Sequence, residues 1–192
     1  VEVTHQREVG PLPEAIRSDR RLHALAGWGH RLARLGISPG ASGNLSCRSD
    51  DGFIITGTGV PLNQIGAEDW VEVTDVGPLP DGGLRVDSRG PCEPSKDASV
   101  HAAFYGQPGA AAVFHLHPDY LDVLSDDLAV PTTAAHYPAG TTESLEEIER
   151  FLTDHPDAAY LVLVDHGIVS WGRAIDEAGK AVVRYHDAVA GS

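Results

Sequence analysis

Methionine is absent from the 192 residues and cysteine occurs only twice. Cys47 and Cys92 have no CxxC spacing, so neither a thiolate zinc site nor a disulfide framework is expected. They read as reduced thiols of a cytoplasmic protein, with one long-range disulfide as the alternative. Basic residues are scarce. Fourteen Lys and Arg stand against 28 Asp and Glu, for a net charge of −14, and no basic run occurs. A nucleic-acid binder needs such a patch, so that class is set aside. No stretch approaches the roughly 20 apolar residues that cross a bilayer, so no membrane span is expected. Residues 1–10 are mixed polar with no apolar core, so no signal peptide is expected either. An anionic substrate for so acidic a chain needs a local positive site, such as a metal ion or converging backbone N–H groups.

What is present is enough apolar sequence, 42%, for one domain that buries its core without crosslinks. Residues 1–13 read as an N-terminal extension and 14–192 as the domain. Apolar residues at helical spacing (Leu22, Leu25, Leu32, Leu35) predict a helix over 14–36, stopped by Gly36 and Pro39. Short strands are predicted at 45–48, 52–56 and 70–74. Residues 77–91, rich in Gly, Pro and Asp, read as a surface hairpin or loop, with a short strand at 84–86. Further helices are expected at 95–105, 120–124, 144–152 and 175–190, and strands at 110–117, 160–164 and 168–171. The mixture predicts an α/β (α+β) fold: a three-layer domain with a central, mainly antiparallel sheet flanked by helices.

Histidine carries the clearest chemical signal. His115 and His117 are two apart on a predicted strand, so both imidazoles project from one face, at its end, just before Pro118. That suits two ligands on one ion. His166 follows the apolar run 160–164 and precedes Gly167, at the end of a second buried strand, and offers a third ligand. Three His with an open position is a catalytic pattern, not a closed structural one. Two loops, Ser42-Gly43-Asn44-Leu45-Ser46 and Thr56-Gly57-Thr58-Gly59, are rich in glycine and hydroxyls, a composition shared by anion loops and ordinary turns. Ser95 and Lys96 stand at the predicted start of a helix, where N–H groups favour an anion or a simple cap. Asp97 reads equally as a general base near a metal or as favourable charge in a first helical turn.

In order along the chain, these segments resemble the class II aldolase/adducin family over about residues 20–190. The carriers are Ser42-Gly43-Asn44-Leu45-Ser46, Thr56-Gly57-Thr58-Gly59, Pro94-Ser95-Lys96-Asp97 with His101, His115-Leu116-His117-Pro118, and Asp165-His166-Gly167 with Gly172 and Asp176-Glu177-Ala178. The resemblance implies that His115, His117 and His166 bind Zn²⁺, or Mn²⁺, Co²⁺ or Fe²⁺ in its place. It implies that Asn44, Thr58, Gly59 and Ser95 hold a substrate phosphate and that Asp97 shuttles a proton. Lys96 replaces a serine of the family motif and offers a point charge to the phosphate, a substrate carboxylate being the alternative. Tyr137 is the candidate proton donor, with His136 and Tyr120 as alternatives. His101 matches a family position and reads as structural. The implied activity is aldol cleavage (a lyase) of a small phosphorylated sugar through a metal-bound enediolate. The alternatives are a sugar-acid decarboxylase, dehydratase or 4-epimerase at the same site, and a non-catalytic adducin-like module. A cytoplasmic homotetramer with no membrane or nucleic-acid partner is implied as well.

Overall fold

A computed structural model describes residues 3–107, 109–118, 131–138 and 140–190. The predicted helix at 120–124 and the candidate Tyr120 lie outside those residues. Strand β1 (Val3–Val9) is followed by helices α1 (Glu14–Arg17) and α2 (Arg20–Arg34), then strands β2 (Asn44–Arg48), β3 (Phe53–Thr56), β4 (Trp70–Pro78) and β5 (Leu84–Gly90). Helix α3 (Ala98–Tyr105), strand β6 (Ala112–Leu116), helix α4 (Thr142–Asp154), strands β7 (Tyr160–Leu163) and β8 (Gly167–Gly172) and helix α5 (Ile175–Ala190) follow among the described residues. The strands form one sheet in the order β1-β5-β4-β3-β2-β6-β8-β7. Among the described strand pairs only β1–β5 is parallel.

The alternation of side chains in the central strands builds the three layers. Leu45 and Cys47 of β2 and Ala112, Phe114 and Leu116 of β6 enter one apolar cluster with Leu25, Trp28 and Leu32 of α2 and Ala178 and Val182 of α5. Val113 of β6, Ile55 of β3 and Val169 of β8 enter the other, with Val100 and Phe104 of α3 and Ile148 and Phe151 of α4. Both faces are covered, which is why β6 and β7 read as continuous apolar runs. Helices α2 and α5 lock together where Gly179 lies flat against the Trp28 ring, whose Nε1 donates to Asp176 at 2.9 Å.

Three expectations are corrected. Helical periodicity over 14–36 conceals a break: Asp19 caps α2 by accepting from the Arg21 amide at 2.9 Å, so α1 and α2 are separate. Of the two readings of residues 77–91 the hairpin holds, joining β4 to β5, but its second arm is a full interior strand over 84–90 and not the short piece expected at 84–86. Its inward positions are Leu84, Val86, Ser88 and Gly90, and the last two carry no apolar signal. Finally, α3 starts at Ala98, three residues after Ser95, and Asp97 occupies the capping position without its side chain capping the helix. Residues 3–9, expected as part of an extension, supply the edge strand. Both cysteines are free, Cys47 buried and Cys92 half-buried. No described helix is long and apolar enough to cross a membrane.

Candidate metal centre

The end of β6 carries the first two histidines. His115 is the penultimate residue of the strand, paired across to Asn44 of β2 and Val169 of β8. Its neighbours Phe114 and Leu116 point into the α2–α5 cluster, so His115 points to the α3 side. His117 follows two residues on, with its ring nearly parallel to that of His115, centroids 4.7 Å apart and planes at 19°. The third arrives through the β7–β8 turn. Asp165 adopts a left-handed backbone (φ 54°), a conformation Asp tolerates, and the tight turn presents His166. The His166 ring lies 4.8 Å from His115 and 5.1 Å from His117 by centroids. Gly167 is required here. A Cβ on it would meet the Leu116 carbonyl oxygen at 2.6 Å and His115 Nε2 at 2.9 Å.

Asp97 comes from the opposite layer, immediately before α3. Its Oδ1 is 3.7 Å from His166 Nε2, and Oδ2 accepts from Asn44 Nδ2 at 2.8 Å. Ligand atoms of Asp97, His115, His117 and His166 all fall within 4.8 Å of one another. Burial opposes ionisation of Asp97, but His115, His166 and the Asn44 amide outweigh it and hold the carboxyl below its ordinary value. Burial depresses His115 well below the usual histidine value, and it lowers His166 too, against the pull of Asp97. The His115 and His166 rings are therefore neutral near pH 7, the form that coordinates a cation.

A fully buried imidazole normally has partners for its nitrogens. Among the described residues His115 has none at Nδ1 or Nε2. A cation held by one of them, shared with His117 and His166, accounts for that nitrogen, and three imidazoles beside a carboxylate are a donor set suited to a borderline divalent ion.

The remaining sequence candidates divide. Ser95 is buried beside Asp97, whose amide donates to Ser95 Oγ at 3.3 Å. Lys96 is exposed between them. Thr58 and Gly59 are exposed on a loop tied to the same segment: Thr58 N donates to Glu93 O at 2.9 Å and Ser95 N to Thr56 O at 3.2 Å. The Gly57 and Thr58 amides are thus already committed, to the Asp69 and Glu93 carbonyl oxygens. Asn44 sits inside the site wall, bonded to Asp97 and, through Oδ1, to His101 Nε2 at 2.6 Å. Tyr137 shares a small recess with His166, lined also by Val100, Ala135, Ile148 and Leu163. His136 is tied to the Val164 carbonyl through Nδ1 at 3.1 Å. Sequence reasoning missed what Asn44 and His101 touch. The available signal was the spacing of Asp97, His101 and Tyr105 at four-residue steps opposite Asn44 and Ser46 two apart.

Comparison with known proteins finds relatives both by sequence and by fold. The chain is 30% identical over 183 residues to a probable bifunctional methylthioribose-1-phosphate isomerase/methylthioribulose-1-phosphate dehydratase of Nocardia farcinica, covering 80% of this chain but 32% of that protein, about a third of its length. It is 28% identical to a 5-methylthioribulose-1-phosphate/5-deoxyribulose-1-phosphate aldolase of Rhodospirillum rubrum, over 86% of this chain and 76% of that one. Among solved structures, L-fuculose-1-phosphate aldolase of Thermus thermophilus superposes with a TM-score of 0.67 at 26% identity, covering 89% of this chain and 92% of its own. The family described as class II aldolase and adducin N-terminal domain matches residues 23–190, and the chain belongs to that family.

Proposed function

We infer that the chain is a divalent-metal-dependent lyase of the class II aldolase type, cleaving a small phosphorylated sugar. The observation that carries this is the convergence of His115, His117 and His166 on one centre, with Asp97 beside them and, among the described residues, no partner for the buried His115 ring. The three histidines would hold the ion, Zn²⁺ being the first candidate. When bound, it acts as a Lewis acid that draws electron density from a substrate oxygen.

The chain's own groups supply the rest. Asp97, kept ionised, accepts a proton at the oxygen facing the histidines; retro-aldol cleavage needs one removed from a hydroxyl and one returned to carbon. Tyr137, on the recess beside His166, is positioned to exchange the second proton. The Thr58 hydroxyl, Gly59, Ser95, the Lys96 ammonium and the outer Asn44 amide hydrogen offer hydrogen bonds and one positive charge to a phosphate. In a chain of net charge −14, Lys96 matters most where the substrate enters. A cytoplasmic homotetramer belongs to the same reading, and light scattering tests the assembly.

A second reaction at the same site is favoured by one observation, the dehydratase named for the Nocardia relative. Dehydration uses the same base but removes a proton from carbon and expels a hydroxyl. Product mass separates the two. Protein as purified is assayed for metal, then incubated with L-fuculose 1-phosphate and 5-methylthioribulose 1-phosphate. Cleavage yields two smaller carbonyl compounds; dehydration yields one product lighter by a water. Metal content near zero with neither product returns the chain to a non-catalytic adducin-like module.

A further inference from the structure

A buried polar seam runs away from Asp97 between β2 and α3. Asp97, His101 and Tyr105 recur at four-residue steps along one side of α3, and Asn44 and Ser46 face them from β2. The members interleave: Tyr105 Oη to Ser46 Oγ is 2.7 Å, Ser46 Oγ to His101 Nδ1 2.6 Å, His101 Nε2 to Asn44 Oδ1 2.6 Å, and Asn44 Nδ2 to Asp97 Oδ2 2.8 Å. His101 and Ser46 are fully buried.

The direction of every bond is fixed by chemistry. The Asp97 carboxylate only accepts, so the Asn44 amide nitrogen faces it and the Asn44 carbonyl faces His101. His101 Nε2 therefore carries a hydrogen. Burial lowers the His101 pKa to about 3, so the ring is neutral and Nδ1 is bare. Ser46 donates to that bare nitrogen, 2.6 Å away, in preference to the Val113 carbonyl at 3.4 Å. Tyr105, whose hydroxyl burial keeps protonated, then donates to Ser46. Tyr105, Ser46, His101, Asn44 and Asp97 thus form a one-way chain of donors ending on the carboxylate.

An Asp before a helix ordinarily turns inward to cap it. Asp97 does not. Its Oδ2 is held by Asn44, and its Oδ1 faces His166. We propose that Asn44 and His101 are positioning residues that aim the Asp97 carboxylate at the histidine centre, with Ser46 setting the His101 tautomer. This rests on the metal-centre reading above and gives Asn44 a task beyond phosphate binding. A seam that merely glued α3 to the sheet would be indifferent to its direction and to the presence of Asp97.

Two measurements test it. Long-range ¹H–¹⁵N NMR of the metal-free protein reads the His101 tautomer; the neutral Nε2–H form is expected at pH 7. The Nδ1–H form would reverse the chain, turn the Asn44 carbonyl onto Asp97 and overturn the proposal. Co²⁺ titration, followed by visible absorption, then compares Ser46→Ala with the unaltered protein after circular dichroism shows both folded. The expected result is about tenfold weaker Co²⁺ binding and a changed spectrum. In an Asp97→Ala background the same substitution should have no further effect. Undiminished binding in Ser46→Ala, or an equal loss with and without Asp97, overturns the proposal. Asn44→Ala is the second variant should Ser46→Ala not fold. If the unaltered protein binds no Co²⁺, the metal-centre reading fails, and with it the aim ascribed to the seam, whatever tautomer NMR finds.

Discussion

Two buried histidines stand 6.4 Å apart by ring centroids, one on α3 and one on the sheet face beneath it, and are treated in opposite ways. His101 has a hydrogen-bond partner at each nitrogen, Ser46 and Asn44. Among the described residues His115 has a partner at neither. Both are fully buried, and burial depresses both pKa values. The difference is therefore in purpose. A polar core group that is satisfied from both sides holds its neighbours in place. One left open at similar depth costs stability and is retained for something the protein alone does not supply.

The largest effect that would break this comparison is on metal content. His115→Ala and His117→Ala should each weaken metal binding more than about 100-fold, since a remnant of two imidazoles is a poor site. Elemental analysis after dialysis reads it, and full occupancy in either variant would contradict the shared centre. Next is stability of the metal-free protein. His101→Leu should destabilise by about 2–4 kcal/mol, because it strands Ser46 Oγ and Asn44 Oδ1 in the core. His115→Leu should be neutral or stabilising by about 1 kcal/mol, since it replaces two unpaired nitrogens with methyl groups. Urea unfolding after chelation measures both. Equal losses would mean that the His115 nitrogens are not the liability their surroundings suggest.

The same contrast explains what could be read from the sequence. His115 and His117 were legible because a strand puts alternate residues on one face, and His166 because a buried run ended just before it. Those are local rules. The fold class was legible for the same reason, from runs whose period and length announced strands and helices. The partners of Asn44 were not, since Asp97 is 53 positions away and only the packing of α3 on β2 joins them. The second half of strand β5 was hidden because its inward Ser88 and Gly90 carry no apolar mark, and its outward Arg89 is held by ion pairs to Glu72 and Asp51, each at 2.7 Å, that no local pattern announces. The break at Asp19 was masked because helical periodicity runs on through it.

A steric change sharpens the comparison at moderate size. Gly167→Ala places a methyl group 2.9 Å from His115 Nε2 and 2.6 Å from the Leu116 carbonyl oxygen. The backbone oxygen cannot yield easily, so the β8 start or the His115 ring must move. A loss of about 1–3 kcal/mol in stability is expected, with weaker metal binding. Gly36→Ala, with its left-handed backbone but open space around it, serves as a control that leaves metal binding unchanged.

The smallest effect is a slope in pH. His101 holds a proton in the unfolded chain below about 6.5, the ordinary value, but in the folded chain only below about 3. Between those limits the unfolded state binds the extra proton, so stability is intact above about pH 6.5 and falls as pH drops toward 3, by up to about 1.4 kcal/mol per unit. His115 acts in the same direction, so the metal-free protein should lose stability on acidification from two groups at once. His101→Gln removes one of them. Its urea midpoint should start lower at pH 7 than that of the unaltered protein yet decline less steeply between pH 6 and 5. Parallel declines would show that His101 is not held neutral by its burial, and the one-way direction of the seam, which needs a bare Nδ1, would lose its support.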